Sequence, residues 1–391
     1  MLFLDTWFWI FAAVAIPVFW LCPRPLKLYW LLGASAVFQY HFAGPAGMAP
    51  IMVLAIVTYL TGLAISPAHG RRPFLWTVVL LVGVLAFYKY SDFLLLEATS
   101  LVARAGGVIP SLLGDWRSPA APLGISFFTF EFIHYLYEVR VTGRRPIRNP
   151  VHFGIFAIFF PCLAAGPIKR FPDFVPQLTT LENPSPAQTW AAVRRIIRGL
   201  FKKVCIADLL VEYIRVLEAL PDLAASAVAL LAVLQGFRIY YDFAGYTDMA
   251  IGLAQLMNLR VPENFDRPYF STSLRDFWRR WHMSLTSWIR DYIYIPMGGN
   301  RAHRALNLFV ALVLCGLWHG AAWHFAAWGV WHGAGLAIEA GVRSRWPWVF
   351  GPGIGRRLLG WVVCYSYVTY GWLLFFYPVW RVLEMTRDAL P

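Results

Sequence analysis

Long apolar runs broken by short polar connectors set the first expectation for this chain. Runs at about 2–21, 26–42, 48–65 and 74–96 approach the ~20 residues that one helical crossing of a bilayer needs. A fifth, LGISFFTFEFIHYLYEV, ends at Arg140 and is followed by Arg144, Arg145 and Arg148, after a Gly- and Pro-rich loop over about 97–122. The run 151–165, with Pro161 inside it, is thin for a full crossing and predicts a re-entrant or broken helix, which is tolerated where backbone lines a cavity. From Ala187 to Leu210 the pattern changes: Arg194, Arg195, Arg198, Lys202 and Lys203 interleave with Ile, Val and Leu. That periodicity predicts an amphipathic helix lying in the membrane interface. Apolar stretches return at 223–239, 305–318 and 358–380.

The connectors give an orientation. Arg24 and Lys27 follow the first run, no charge follows the second, and Arg71 and Arg72 follow the third. With the arginines after the fifth run, odd-numbered connectors are expected inside and the N-terminus outside. Arg343, Arg345, Arg356 and Arg357 mark another inside loop.

Composition widens this into a class. Of 391 residues 59% are hydrophobic and 14% charged, against about 25% charged in soluble domains, so most of the chain faces lipid or other membrane helices. The expected fold is all-α: a polytopic integral membrane protein of roughly nine to eleven spans, forming one membrane domain over 1–391. The net charge of +13 is read against anionic lipid headgroups rather than nucleic acid. Cys22, Cys162, Cys205, Cys315 and Cys364 are scattered and form neither a disulfide framework nor a zinc spacing. No positive region precedes Leu2–Leu21, and Trp20 and Leu21 are too large for a small-residue cleavage site, so this run is expected to be an uncleaved span.

Candidate chemistry concentrates between Asp266 and His332. DRPYFSTSLRDFWRRWHMSLTSWIRDYIYIPMGGNRAHR sets Arg275, Arg279, Arg280, His282 and Arg290 among Phe277, Trp278, Trp281 and Trp288. An apolar run then delivers His319 into Trp-rich surroundings, and an imidazole at membrane depth is costly unless it has a task. Acyl transfer to a hydroxyl needs a base, which histidine supplies near neutral pH. A coenzyme A thioester brings phosphates, which arginine holds best. Arg275, Arg279, Arg280, Arg290, Trp281 and Asn300 are therefore the donor-binding candidates. Each has a plainer reading: a hydrogen-bonded histidine inside a bundle, and an Arg/Trp helix as interfacial anchor. Glu131, His134 and Glu138 share one helix face and are expected to be an internally paired stripe. Asp242 and Asp248 are expected to be structural partners, and Cys315 a packing residue. His324 and His332 match no zinc spacing, and no metal is expected.

These motifs carry a resemblance. RPYFSTSLRDFWRRWHMSLTSWIRDYIYIPMGGNR and GLWHGAAWHFAAWGVWHG, with PLGISFFTFEFIHYL (122–136), GPIKRF (166–171) and IYYDFAGYTDMAIGLAQLMNLRVPENFDRPY (239–269), are similar to the membrane-bound O-acyltransferase family. The alginate O-acetyltransferase membrane component is the nearest branch, and teichoic acid D-alanyl transferase a more distant one. The similarity runs from about 120 to 380. It implies a ring of transmembrane helices, with re-entrant and interfacial helices, around a thinned centre with funnels on both faces. It implies peripheral spans in 1–120, a catalytic core in 121–340 and a C-terminal span in 341–391.

The resemblance also implies that His319, in the WHG element, is the buried base or acyl-transfer residue, and that His282 shapes the tunnel or donor site. Acetyl-CoA or an acyl-carrier protein thioester would be the donor substrate, with no permanently bound cofactor. An extracytoplasmic polysaccharide acetyltransferase would be the partner, in a bacterial inner membrane. The end at Pro391 is earlier than in alginate-type members, so one or two C-terminal helices are expected to be absent, and GWLLFFY (371–377) stands where such members tend to read GWVFFR. The alternative is a transporter or scaffold with a polar-lined path. Against it stand the lack of inverted repeats and the tight Arg/Trp/His cluster.

Overall fold

The computed structural model describes residues 2–106, 118–163, 166–220 and 224–388, and among these every regular element is helical. The longest elements follow the apolar runs. Helix α1 spans Thr6–Leu21 and α2 spans Arg24–Ala64. At 1.5 Å per residue α2 would be about 60 Å long, twice a hydrocarbon core. It is divided at Gly44, which adopts φ 63° and ψ 178° just before Pro45. Proline has no N–H for the helical ladder and glycine accepts the left-handed turn. The two predicted runs, 26–42 and 48–65, are the arms on either side of this kink. Helix α3, Arg71–Arg104, continues beyond the predicted run and presents nearly all its surface outward. Of the predicted 97–122 loop, residues 97–104 instead continue α3, and 107–117 lie outside the described residues.

Contacts divide the chain into two compact units, 1–193 with 250–261, and 194–249 with 262–391. In the first, α4 (Ile125–Arg140) and α5 (Pro150–Ile158) pack an aromatic core. The Tyr135 ring lies 5.2 Å from that of Phe153 and 5.1 Å from that of Phe171. Helix α5 starts where the Asn149 side chain accepts from Val151 N, with Pro150 at the first helical position. Nine residues reach about 14 Å, too short to cross a bilayer; the buried turn Phe160–Cys162 follows at once. The polar face of α4 is closed internally. Lys169 Nζ donates to Glu131 Oε1 at 2.6 Å, both groups almost fully buried, and His134 Nε2 accepts from Phe171 N at 2.9 Å.

In the second unit the basic residues of the amphipathic segment α6 (Pro186–Leu200) turn toward carboxylates. Arg195 pairs with Asp248 and Glu263, and Lys202 with Asp248 at 2.7 Å. A π-helical stretch, Phe201–Ala207, places Lys203 2.5 Å from Asp208 and 2.6 Å from Asp242. Asp242 and Asp248 are thus held in ion pairs, as structural partners would be. Helices α7 (Asp208–Glu218) and α8 (Ala225–Leu256) follow, then the short α9 (Leu274–Arg280) and α10 (Met283–Ile289).

The tightest pairing is the hairpin of α11 (Arg304–His319) and α12 (Trp323–Arg345). A Cβ on Gly316 would lie 2.3 Å from Phe325 O, and one on Gly329 2.7 Å from Leu312 O. Small residues let helix backbones meet this closely in a membrane. Cys315, 1% exposed on α11, packs in this hairpin core. The chain ends with α13 (Ile354–Phe376) and α14 (Val379–Asp388). By length and composition α2, α3, α8 and α13 can each cross a membrane; α1, Pro150–Cys162 and α11 are shorter apolar segments.

Candidate active site

His319 is the last residue of α11. The helix stops because Gly320 leaves it in an extended conformation; a Cβ there would lie 2.1 Å from the Phe325 ring. The imidazole is half-buried rather than enclosed, since it sits at the end of its helix. Its ring centroid is 5.2 Å from Trp328, edge to face, and 5.1 Å from Phe375. Apolar walls around a half-buried imidazole suit a base that must meet a substrate and still exclude bulk water.

His282 lies between α9 and α10 in the left-handed region, φ 42° and ψ 54°, which is strained for a side chain with a Cβ. Asn264, fully buried, holds this turn. Its backbone carbonyl accepts from Met283 N at 2.9 Å, and its side-chain oxygen accepts from Ser284 Oγ at 2.6 Å. The His282 ring is 3% exposed and edge-on to Phe243 at 4.6 Å, and Nε2 has no hydrogen-bond partner among the described residues. Its ring centroid lies 6.3 Å from that of Trp318, the residue before His319.

The predicted donor-binding residues divide in two. Arg275, Arg279, Arg290 and Asn300 line one cavity of about 520 Å³, inside the range of small-molecule sites. Arg275 and Arg279 stand one helical turn apart on α9, so they share a face. Neither guanidinium has a hydrogen bond or ion pair among the described residues. Arg290 and Tyr294 reach the cavity from a π-helical turn, Arg290–Tyr294, and Tyr294 donates to Asn300 Oδ1 at 2.8 Å. Arg290 bonds Asp291, which raises its pKa above the ordinary guanidinium value.

Arg280 and Trp281 do not join them. Arg280 turns to Asp276 at 3.0 Å and Asp266 at 3.7 Å, and the bond to Asp276 likewise raises its pKa. Trp281 is buried against Trp372, ring centroids 4.8 Å apart.

Three cavity residues escaped the sequence reading. Arg304 opens α11, and Arg343 and Glu339 come from α12. The sequence signal of Arg304 and Arg343 was only that of cations flanking an apolar run, and Glu339 carried none. Glu339 accepts from Leu274 N at 2.6 Å and Arg275 N at 3.3 Å, and from Arg343 at 2.9 Å, so it fixes the start of α9 against α12. Five arginines against one carboxylate make the cavity strongly positive, the field an anionic ligand requires. Trp278, on the cavity wall, meets the buried His332 ring at 5.3 Å; His332 meets Trp328 at 4.9 Å, and Trp328 meets His319. A continuous file of indole and imidazole therefore leads from the cavity to His319. Among the described residues no group of three His, Cys, Asp or Glu side chains could hold a metal ion.

Comparison with known proteins gives this arrangement a lineage. The model of the membrane-bound O-acyltransferase family matches residues 143–380. A protein described as "Probable alginate O-acetylase AlgI" from Azotobacter vinelandii is 36% identical over 384 residues, covering 95% of this chain and 74% of the relative. The peptidoglycan O-acetyltransferase of Helicobacter pylori is 31% identical over 386 residues, covering 88% and 70%. The teichoic acid D-alanyltransferase of Bacillus subtilis is 29% identical over 291 residues, covering 66% and 71%. With the family model spanning more than half of its length, the chain belongs to the membrane-bound O-acyltransferase family and is a polytopic membrane O-acyltransferase.

Proposed function

We propose that this protein moves an acetyl or other short acyl group from a cytoplasmic thioester to hydroxyls of an exported polysaccharide, with His319 as base or acyl-transfer residue. The observation that carries this reading is the pair of guanidiniums, Arg275 and Arg279, unpartnered among the described residues, in a cavity whose wall residue Trp278 packs through His332 and Trp328 against the half-buried His319. Acetyl-CoA or an acyl-carrier protein is the donor. Its phosphates lie against Arg275, Arg279, Arg290 and Arg304, where charge-assisted bonds are strongest.

In the transfer, the acceptor oxygen attacks the thioester carbonyl while an imidazole nitrogen of His319 takes the hydroxyl proton. The carbon–sulfur bond breaks and the thiolate leaves with a proton. His282, whose ring lies 6.3 Å from that of Trp318 next to His319, shapes the tunnel or donor site beside it. The alginate and peptidoglycan names of the relatives support a polysaccharide acceptor, which an extracytoplasmic acetyltransferase partner presents to this site. The enzyme then sits in a bacterial inner membrane with its N-terminus outside.

The test is coenzyme A release from acetyl-CoA by the purified protein in liposomes, with and without the partner enzyme and polysaccharide. His319→Ala should lower release by roughly 10²- to 10⁴-fold with an unchanged melting temperature. Release that survives in the variant would remove His319 from the chemistry. Release absent from the wild type even with partner and acceptor would remove the thioester donor.

A further inference from the structure

A second cavity, about 550 Å³, opens between α12 and α13. Its two ends differ. Arg356 and Arg357, at the start of α13, and Arg343 line one part. Ile338, Leu359 and Val363 form an apolar wall that is largely exposed. Glu339 is the one carboxylate on its lining, and it is already engaged by Arg343 and the backbone of α9. The Arg357 side chain has no hydrogen bond or ion pair among the described residues, Arg356 reaches only the Pro352 carbonyl at 3.4 Å, and Arg343 Nε is buried without a partner. In a membrane, cations beside an open apolar groove need an anion attached to a hydrocarbon chain.

We propose that this cleft is a binding site for an anionic phospholipid, its phosphate on Arg356 and Arg357 and one acyl chain along Ile338, Leu359 and Val363. Charge complementarity selects the occupant. Arg343 is already compensated by Glu339 and stacked on the Phe350 ring at 3.8 Å, which leaves Arg356 and Arg357; a zwitterionic headgroup brings its own cation to these two, whereas an anionic one does not. Basic pockets between membrane helices recognise acidic headgroups on this basis, and arginine forks match phosphate oxygens in pairs. The site does not depend on the acyl chemistry proposed above. It does share Arg343 and Glu339 with the arginine-lined cavity, so a bound headgroup braces the wall between them.

The experiment uses the full-length protein incorporated into phosphatidylcholine vesicles containing phosphatidylglycerol, re-extracted in mild detergent, and assayed for retained lipid by mass spectrometry. The wild type should retain phosphatidylglycerol over phosphatidylcholine. Arg356→Ala with Arg357→Ala should lower that enrichment roughly tenfold. Arg144→Ala with Arg145→Ala, which removes the same charge from another connector, should leave it intact. Arg356→Lys with Arg357→Lys should retain part of the enrichment, and this variant decides the matter if the alanine pair does not fold. Equal loss in the Arg144/Arg145 control, no enrichment in the wild type, or full displacement by inorganic phosphate would each overturn the site.

Discussion

Two sets of charges, one in each compact unit, are treated in opposite ways: one is sealed inside the protein and the other left open to solvent. In the first unit Lys169 and Glu131 are almost fully buried and bonded to each other at 2.6 Å. In the second, Arg275 and Arg279 stand beside a cavity with no protein partner among the described residues. Desolvating a charge costs several kcal/mol per ion unless a partner and hydrogen bonds offset it. The first set meets that cost within the protein, which fits a structural role. The second is exposed at the cavity, so it carries no such cost and stays open to an anion that enters. Partner state, rather than the presence of charge, separates scaffold from site.

The largest effect expected from this contrast is on stability. Lys169→Ala strands a buried Glu131 carboxylate and should cost roughly 3–5 kcal/mol, visible as a lower melting temperature of the purified protein. Lys169→Met with Glu131→Gln removes both charges and should recover most of that loss. A Lys169→Ala protein that melts normally but no longer transfers acyl groups would break the comparison, because the pair would then belong to the chemistry.

Arg275→Ala with Arg279→Ala should do the reverse. Hydrogen bonds to charged groups contribute about 1.5–3 kcal/mol, so the donor concentration for half-maximal rate should rise by about 10- to 100-fold at an unchanged melting temperature. Titrating acetyl-CoA in the release assay measures it. An unchanged donor dependence together with a lower melting temperature would place these arginines with Lys169.

Much of this was readable before any coordinates. Spans followed apolar runs, and the break between 42 and 48 became the kink at Gly44 and Pro45. The pairing of α4's polar stripe was expected from its spacing, although Lys169 as partner was not, because it lies 38 positions from Glu131. At the arginine cavity, Arg275 and Arg279 were legible as neighbours on one helix face. Arg304, Glu339 and Arg343 were not, since only the close packing of α11 on α12 brings them there. Nor could spacing reveal that a π-helical turn carries Arg290 and Tyr294, or that Asn264 holds His282 in a left-handed conformation. These depend on contacts between segments, which periodicity does not encode.

The smallest expected effect is the sharpest discriminator. Arg279 and Arg280 are adjacent in sequence and chemically identical, and the Arg/Trp pattern treats them alike. On the seven-residue helix α9 they point about 100° apart: Arg279 toward the cavity, Arg280 to Asp276 one turn back and to Asp266. A partly exposed pair at that spacing contributes roughly 0.3–0.5 kcal/mol. Arg280→Ala should therefore shift the melting temperature barely, and leave the acetyl-CoA dependence where it is. Arg279→Ala should move that dependence alone. If both substitutions weakened donor use equally, the determinant would be net positive charge near α9, and the distinction between paired and unpaired arginines would lose its meaning. If only Arg279 matters, the site is defined by which guanidinium the fold leaves without a partner.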